Sequence, residues 1–121
     1  MTRWLVSAPL IIALATCSNA MAPSQDLAAT ITIRSDGMTP KEVTLNRGNR
    51  VSVLNLDSKP HQPTSDPHAE HSSCTALNFA SIPPGARAES AVINAALDCR
   101  LHDEMNVGQA AFTTRILIGL Q

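Results

Sequence analysis

Short stretches in which apolar and polar residues alternate, each followed by a turn, restrict the fold of this sequence most strongly. Residues 29–34 alternate around Ile31 and Ile33, and Asp36-Gly37 then breaks the pattern. A period of two is typical of half-buried strands. The sequence shows no clean 3.6-residue period of an amphipathic helix. Repeated short strands of this kind predict an all-β, antiparallel sandwich or barrel.

The rest of the chain continues the pattern. The segment 41–56 predicts a hairpin, residues 86–93 alternate, and residues 97–101 and 110–120 are further candidate strands. This makes about seven to eight strands in all. Residues 57–73, which include three prolines, predict a long polar loop.

The N-terminal segment has the pattern of an export signal. Arg3 precedes an apolar run over residues 4–15, which is too short to cross a bilayer core of ~30 Å. We therefore assign residues 1–22 to a signal peptide and residues 27–121 to one exported domain, periplasmic or secreted. An N-terminal helix docked on the domain is the alternative.

Two cleavage sites compete within this signal. Leu14-Ala15-Thr16-Cys17 resembles a lipoprotein signal, in which Cys17 is lipidated and tethers the protein to a bacterial membrane. The small residues of Ser18-Asn19-Ala20 and Ala20-Met21-Ala22 offer a site for ordinary secretion instead.

Charge and composition exclude several classes of function. Nine basic residues are scattered among ten acidic ones, so the chain lacks the cationic footprint of a nucleic-acid binder. The sequence contains no phosphate-binding loop, nucleophile elbow or paired-carboxylate motif, and we expect no enzyme. Past the signal the only aromatic residues are Phe79 and Phe112, so the core must be largely aliphatic.

The chemistry of the sequence lies in residues that bind soft metals. Cys99, His102 and Met105 are spaced by three, and we expect them to curl around one point where a strand runs into a loop. A histidine from a distant loop would complete the set. One thiolate, two imidazoles and a thioether suit copper in both oxidation states. Structural zinc sites usually contain more cysteine.

Several segments resemble the cupredoxins, the blue copper proteins. They are Asn55 to His61, the turn Pro83-Pro84-Gly85, and Cys99 to Met105, whose spacing is similar to the short ligand loop of amicyanins. The resemblance covers about residues 31–118 and implies a Greek-key β-sandwich or barrel. It also implies a one-electron carrier with a redox partner protein, and a type 1 copper site formed by His61, Cys99, His102 and Met105.

A second resemblance points to a group of exported bacterial cupredoxin-like domains. These carry a histidine-rich loop, matched here by His68 and His71, and a His-Asp-x-x-Asn segment that begins here at His102. His68 and His71 are candidate ligands for an additional metal ion. They favour an alternative function, the handling or buffering of copper received from a donor or passed to an acceptor.

The cysteines leave a third alternative open. Cys74 and Cys99 can form a disulfide in an oxidising compartment, and that bond would remove the thiolate from any metal site. The protein would then be a metal-free extracellular β domain or would bind metal through histidines alone.

Overall fold

Two four-stranded β-sheets enclose the core. The computed structural model describes residues 29–120. Within this range the strands are β1 (Ala29–Arg34), β2 (Gly37–Thr39), β3 (Glu42–Leu45), β4 (Val51–Asn55), β5 (Pro63–Ser65), β6 (Arg87–Glu89), β7 (Leu97–Asp103) and β8 (Thr113–Ile118). Single 3₁₀ turns occupy Thr75–Leu77, Glu104–Asn106 and Ala110–Phe112. The sheet orders are β2-β1-β4-β6 and β3-β8-β7-β5, which confirms the predicted all-β class.

Alternation along the strands builds the core. In β1 the side chains of Ile31 and Ile33 are fully buried, while Thr30 and Thr32, which alternate with them, stay partly exposed. The core is aliphatic for the most part, as the scarcity of aromatic residues predicts, and only two phenylalanine rings join it. Its largest members include Ile31, Ile33, Leu77, Ile82, Leu101, Ile116 and Ile118.

The hairpin predicted across residues 41–56 is wrong. β3 pairs in parallel with β8, whereas β4 pairs in parallel with β1, so the two strands belong to different sheets. In a sandwich each strand buries one face and alternates apolar with polar residues. This alternation is the same whether two successive strands pair in a hairpin or lie in opposite sheets. The two parallel pairs also show that the sheets are mixed, not purely antiparallel as predicted.

β5 lies inside the segment predicted as a polar loop. It forms the edge of the second sheet and pairs antiparallel with β7, with Thr64 opposite His102. Pro63 begins the strand, a position where its missing N–H is tolerated. All three residues of β5 are buried, although two of them are polar. This strand brings the histidine-containing segment that follows it against β7.

A disulfide joins Cys74 to Cys99 and ties the end of that segment to β7. Both cysteines are buried in the core. The disulfide that the sequence left open as an alternative is therefore present.

The predicted signal peptide at residues 1–22, with Cys17, lies outside the described residues and stays a prediction. Among residues 29–120 no helix has the length and apolar character needed to span a membrane.

Removing the disulfide should cost substantial stability. For a cross-link that spans 25 residues, we expect the double variant Cys74→Ala, Cys99→Ala to lose about 3 kcal/mol of unfolding free energy. Urea unfolding, followed by circular dichroism, measures this loss. A thiol assay on the denatured, unreduced protein should find neither cysteine free, and two titratable thiols from these positions would contradict the bond.

Candidate metal centre

β7 presents alternate residues to opposite sides of its sheet. Cys99, Leu101 and Asp103 lie on the buried side, while Arg100 and His102 lie on the other. Arg100 is exposed. His102 is only 5% exposed, because the segment that follows β5 covers it.

This covering segment, residues 66–73, is closed by its own backbone and by β7. Asp66 N–H donates to the Arg100 carbonyl at 2.9 Å, and Ser73 N–H donates to the Asp66 carbonyl at 3.1 Å. Within the loop, His71 N–H donates to the Pro67 carbonyl at 2.8 Å. We call this segment the histidine loop. Its closure holds His68 and His71 beside His102, with ring centroids 5.4 Å from that of His102.

His71 adopts a backbone conformation that non-glycine residues rarely take. Its φ is +48°, in the left-handed region. The Asn78 side-chain amide donates to the His71 carbonyl at 2.8 Å, and the Asn78 Oδ1 accepts from Ser65 N–H at 2.8 Å. Such a conformation costs of order 1 kcal/mol and persists only where the surroundings hold it in place. Here it turns the imidazole towards β7.

Three imidazole nitrogens converge on one carboxylate oxygen. Glu104 Oε1 lies 2.9 Å from His102 Nε2, 3.1 Å from His71 Nε2 and 3.2 Å from His68 Nδ1. Thr64 Oγ1 donates to the same oxygen at 2.8 Å. The ligand atoms of the histidines and the glutamate all lie within 4.8 Å of one another. We call this group, His68, His71, His102 and Glu104, the histidine–glutamate centre.

The outer ring nitrogens show where the protons are. His71 Nδ1 donates to the Ser65 carbonyl at 3.1 Å, and His102 Nδ1 lies 2.6 Å from an Asp66 carboxylate oxygen, which can only accept. In a neutral imidazole the second nitrogen then carries a lone pair. When both rings are neutral, these lone pairs face the Glu104 carboxylate, and the centre then attracts a cation, which can be a metal ion or a proton. Metal-binding histidines are oriented in this way by outer carbonyl and carboxylate partners.

The Glu104 carboxylate is itself held in its charged form. Burial, the largest effect, raises its pKa. The hydrogen bond from Thr64 and, when protons occupy the inner nitrogens in the absence of a cation, those from His102 and His68 outweigh burial and lower the pKa below the ordinary value. An ionised carboxylate with three imidazoles is a donor set for a borderline metal ion.

Comparisons with known proteins identify proteins of similar fold. No protein-family model and no curated protein matches the sequence. Among solved structures, a reduced amicyanin variant is 13% identical with a TM-score of 0.59, over 75% of this chain and 81% of its own. A purple cupredoxin from Nitrosopumilus maritimus is 17% identical with a TM-score of 0.58, over 74% of this chain and 98% of its own. This chain has a cupredoxin-like fold.

A third neighbour gives the same result. The Cu(I) form at pH 4 of another amicyanin variant is 13% identical with a TM-score of 0.60, and the match covers 79% of this chain and 94% of the neighbour. The predicted cupredoxin resemblance is therefore confirmed at the level of the fold.

In this cupredoxin-like domain Cys99 is not available as a thiolate ligand, and that prediction is wrong. Its sulfur is bonded to Cys74, and its side chain lies on the core side of β7. The sequence predicts a strand over residues 97–101 that then runs into a loop, but β7 continues to Asp103. Residues three apart on a continuous strand point to opposite sides, so Cys99 and His102 cannot meet at one ion.

Met105 also lies outside the histidine–glutamate centre. It sits in the 3₁₀ turn Glu104–Asn106, and 54% of the residue is exposed to solvent. Of the residues that the resemblance implied, only His102 belongs to the centre, where it joins His68 and His71, the candidates for an additional site.

His61 is occupied elsewhere in the domain. Its Nδ1 lies 2.7 Å from Asp103 Oδ2 and its Nε2 lies 2.9 Å from Asp57 Oδ2, so both ring nitrogens donate to carboxylates. The ring stacks on Phe112 at a centroid distance of 5.8 Å, and Asn106 donates to Asp103 at 2.6 Å. Carboxylates thus occupy both nitrogens of His61, and His61 does not belong to the histidine–glutamate centre.

These carboxylates keep His61 charged although it is buried. Burial has the largest effect and lowers the pKa of His61, but the hydrogen bonds and charges of Asp103 and Asp57 together raise it above the ordinary value. The His61 hydrogen bond in turn lowers the pKa of Asp57. For Asp103, burial raises the pKa most, but the hydrogen bonds from His61, Asn106 and Gln62 bring it below the ordinary value.

Glu104 is the member of the histidine–glutamate centre that the sequence analysis does not identify. Glu104 follows His102 by two residues. If the chain stays extended there, the two side chains lie on the same side of the sheet. Without knowledge of where β7 ends, this spacing does not separate a ligand from a surface glutamate.

The charged state of His61 predicts a specific pH dependence. Because its pKa is raised in the folded protein, its ion pairs stabilise fully below about pH 6.5, the ordinary value, and are lost as pH rises through the folded pKa. We expect the difference in unfolding free energy between the wild type and His61→Gln to be largest near pH 5.5 to 6 and to shrink towards pH 9. Urea titrations of both proteins in chelator measure it. A difference that grows with pH would contradict the charged state.

Proposed function

We propose that this protein binds one copper ion, as Cu(II), at the histidine–glutamate centre and that it handles or buffers copper outside the cytoplasm. The observation that carries this proposal is the convergence of three imidazole nitrogens on the Glu104 carboxylate, with the outer nitrogens of His71 and His102 already engaged. Export rests on the predicted signal peptide at residues 1–22.

The donor set favours Cu(II) over other common divalent ions. Three nitrogens and one oxygen suit copper, zinc and related borderline metals, and within a given site the affinity order places Cu(II) above Zn(II). The three histidines come from two segments that β5 and the disulfide fix against each other, so the donors are in place before the ion arrives. One of the fold neighbours is a Cu(I) form of amicyanin, which adds copper as the metal to test first.

The absence of a thiolate from the centre determines its expected colour. An intense visible band in copper proteins requires charge transfer from a cysteine sulfur, and Cys99 is in the disulfide. We therefore propose a pale site of the histidine type and not the type 1 site that the sequence implied.

Copper titration with ligand variants tests the site. The purified protein should bind one Cu(II) per chain with a weak visible absorption. His71→Ala and His102→Ala should each lower the affinity by more than the roughly 10–100-fold that loss of an outer partner costs. Isothermal titration with a competing chelator measures the affinities. Met105→Leu is the control, because the exposed thioether should contribute nothing. Unchanged affinity in both histidine variants would refute the site.

Removing the outer partner of His102 gives a second test. Asp66→Asn keeps the shape of the side chain but replaces the carboxylate that orients His102 Nδ1, and we expect about a 10–100-fold loss of Cu(II) affinity. Asp98→Asn is the matched control, because Asp98 pairs with Arg115 and does not touch the centre. Equal losses in the two variants would indicate a general effect of charge.

One-electron transfer is a second candidate function of the same copper ion. The observation that favours it is the cupredoxin-like fold, whose neighbours include a reduced amicyanin variant and a Cu(I) form. Reversible voltammetry of the copper-loaded protein would support a carrier with a redox partner. Loss of copper to a chelator on reduction would support copper handling alone.

A further inference from the structure

Asn78 lies beside the edge of β5 that β7 does not occupy, and the core holds it there. Its two neighbours, Leu77 and Phe79, are buried, and Phe79 N–H donates to the Pro63 carbonyl at 2.9 Å. Asn78 Oδ1 accepts from Ser65 N–H at 2.8 Å and from the Ser65 hydroxyl at 2.9 Å. The amide of Asn78 is therefore fixed against β5, although the residue itself is exposed.

Three hydrogen bonds connect Ser65, Asn78 and His71 in a closed ring. Ser65 N–H donates to Asn78 Oδ1, Asn78 Nδ2 donates to the His71 carbonyl at 2.8 Å, and His71 Nδ1 donates to the Ser65 carbonyl at 3.1 Å. The ring thus fixes both the backbone and the imidazole of His71 relative to one residue of β5. The other imidazole nitrogen, Nε2, is then directed at Glu104 Oε1, 3.1 Å away.

His71 needs this constraint more than the other members that β5 and the residue after it orient. Three consecutive residues each contact a different member of the histidine–glutamate centre: Thr64 contacts Glu104, Ser65 contacts His71, and Asp66 contacts His102. His102 lies on β7 and Glu104 follows it directly, so strand pairing already restricts their backbone. His71 lies in the histidine loop with a φ of +48°, a conformation that persists only where other groups hold it.

We propose that Asn78 is a positioning residue for the copper site, which holds the His71 backbone in its left-handed conformation so that Nε2 faces the centre before an ion binds. This inference rests on the proposed function and extends it by naming the residue that preorganises one ligand. Without the Asn78 amide, His71 would adopt the commoner backbone conformations of non-glycine residues. Its imidazole would then have to be ordered during binding, which lowers the affinity.

A double-mutant cycle on Cu(II) affinity tests whether Asn78 acts through His71. Asn78→Ala should weaken binding by about 10–100-fold, the usual loss for an outer partner of a ligand. In the His71→Ala background the same change should alter the affinity by no more than about twofold, the usual limit of additivity. In the His68→Ala background the full loss should remain. Asn94→Ala, at an exposed asparagine in the segment before β7, is the matched control and should bind as the wild type does.

A measurement on the metal-free protein tests the same role without copper. Scalar couplings across the His71 backbone, measured by nuclear magnetic resonance, report its φ. We expect a positive φ in the wild type and its loss in Asn78→Ala and Asn78→Asp. The aspartate variant keeps the shape of the side chain and the acceptor for Ser65, but it removes the donor to the His71 carbonyl. Urea unfolding in chelator checks that each variant folds, and Asn78→Asp replaces Asn78→Ala in the cycle if the alanine variant does not.

The outcomes separate this inference from the copper site itself. An equal loss of affinity with and without His71 would overturn the positioning role, because Asn78 would then act on the fold or on another ligand. Wild-type affinity in Asn78→Ala, or a positive φ retained at His71 in that variant, would also overturn it, and the copper site would stand. If the wild type does not bind Cu(II), the proposed function fails and the positioning role fails with it.

Discussion

The continuous pairing of β7 with its two neighbours determines which of its side chains reach the histidine–glutamate centre. Because β7 is hydrogen-bonded to β8 and β5 up to Asp103, its side chains alternate between the core and the opposite side without interruption. Cys99 and Asp103 therefore serve the interior, one in the disulfide and one in the ion pair with His61. Arg100 and His102 are left to the outer side.

The domain contains two clusters of histidine and carboxylate side chains, and they differ in how the rings and carboxylates are arranged. At His61 the carboxylates approach opposite ends of one ring, so both ring nitrogens are occupied by hydrogen bonds. At Glu104 three rings from two segments approach one carboxylate oxygen, so their inner nitrogens converge on a single point. The first cluster links β7 to the segment before β5, whereas the second is a group that could hold a metal ion.

The sequence predicts the fold more reliably than the site. The alternation in residues 29–34 and 97–101 identifies β1 and most of β7, and the scarcity of aromatic residues predicts the aliphatic core. The alternation does not show which sheet contains β3 or β4, because strands in both sheets of a sandwich bury one face. The short, polar β5 has no hydrophobic pattern at all, and only its pairing with β7 reveals it.

The error in the site has one physical origin. The spacing of Cys99, His102 and Met105 was interpreted as a loop, where three side chains can converge, but it falls on a strand and a 3₁₀ turn. The predicted strand ends at Leu101, whereas β7 ends at Asp103. Because of these two extra strand residues, His102 points away from Cys99 and towards the histidine loop. His68 and His71 were recognised as candidates, but their meeting with His102 depends on the closure of the histidine loop, which no local pattern encodes.

The double anchorage of the histidine loop has a thermodynamic consequence. Asp66 is hydrogen-bonded to β7 at one end of the loop, and Cys74 is covalently attached to β7 just beyond the other. The conformational entropy of these residues is thus lost when the chain folds and oxidises, not when the ion is captured. Binding of an ion at the proposed site would then require little further ordering of the histidine loop, because folding and formation of the disulfide have already ordered it.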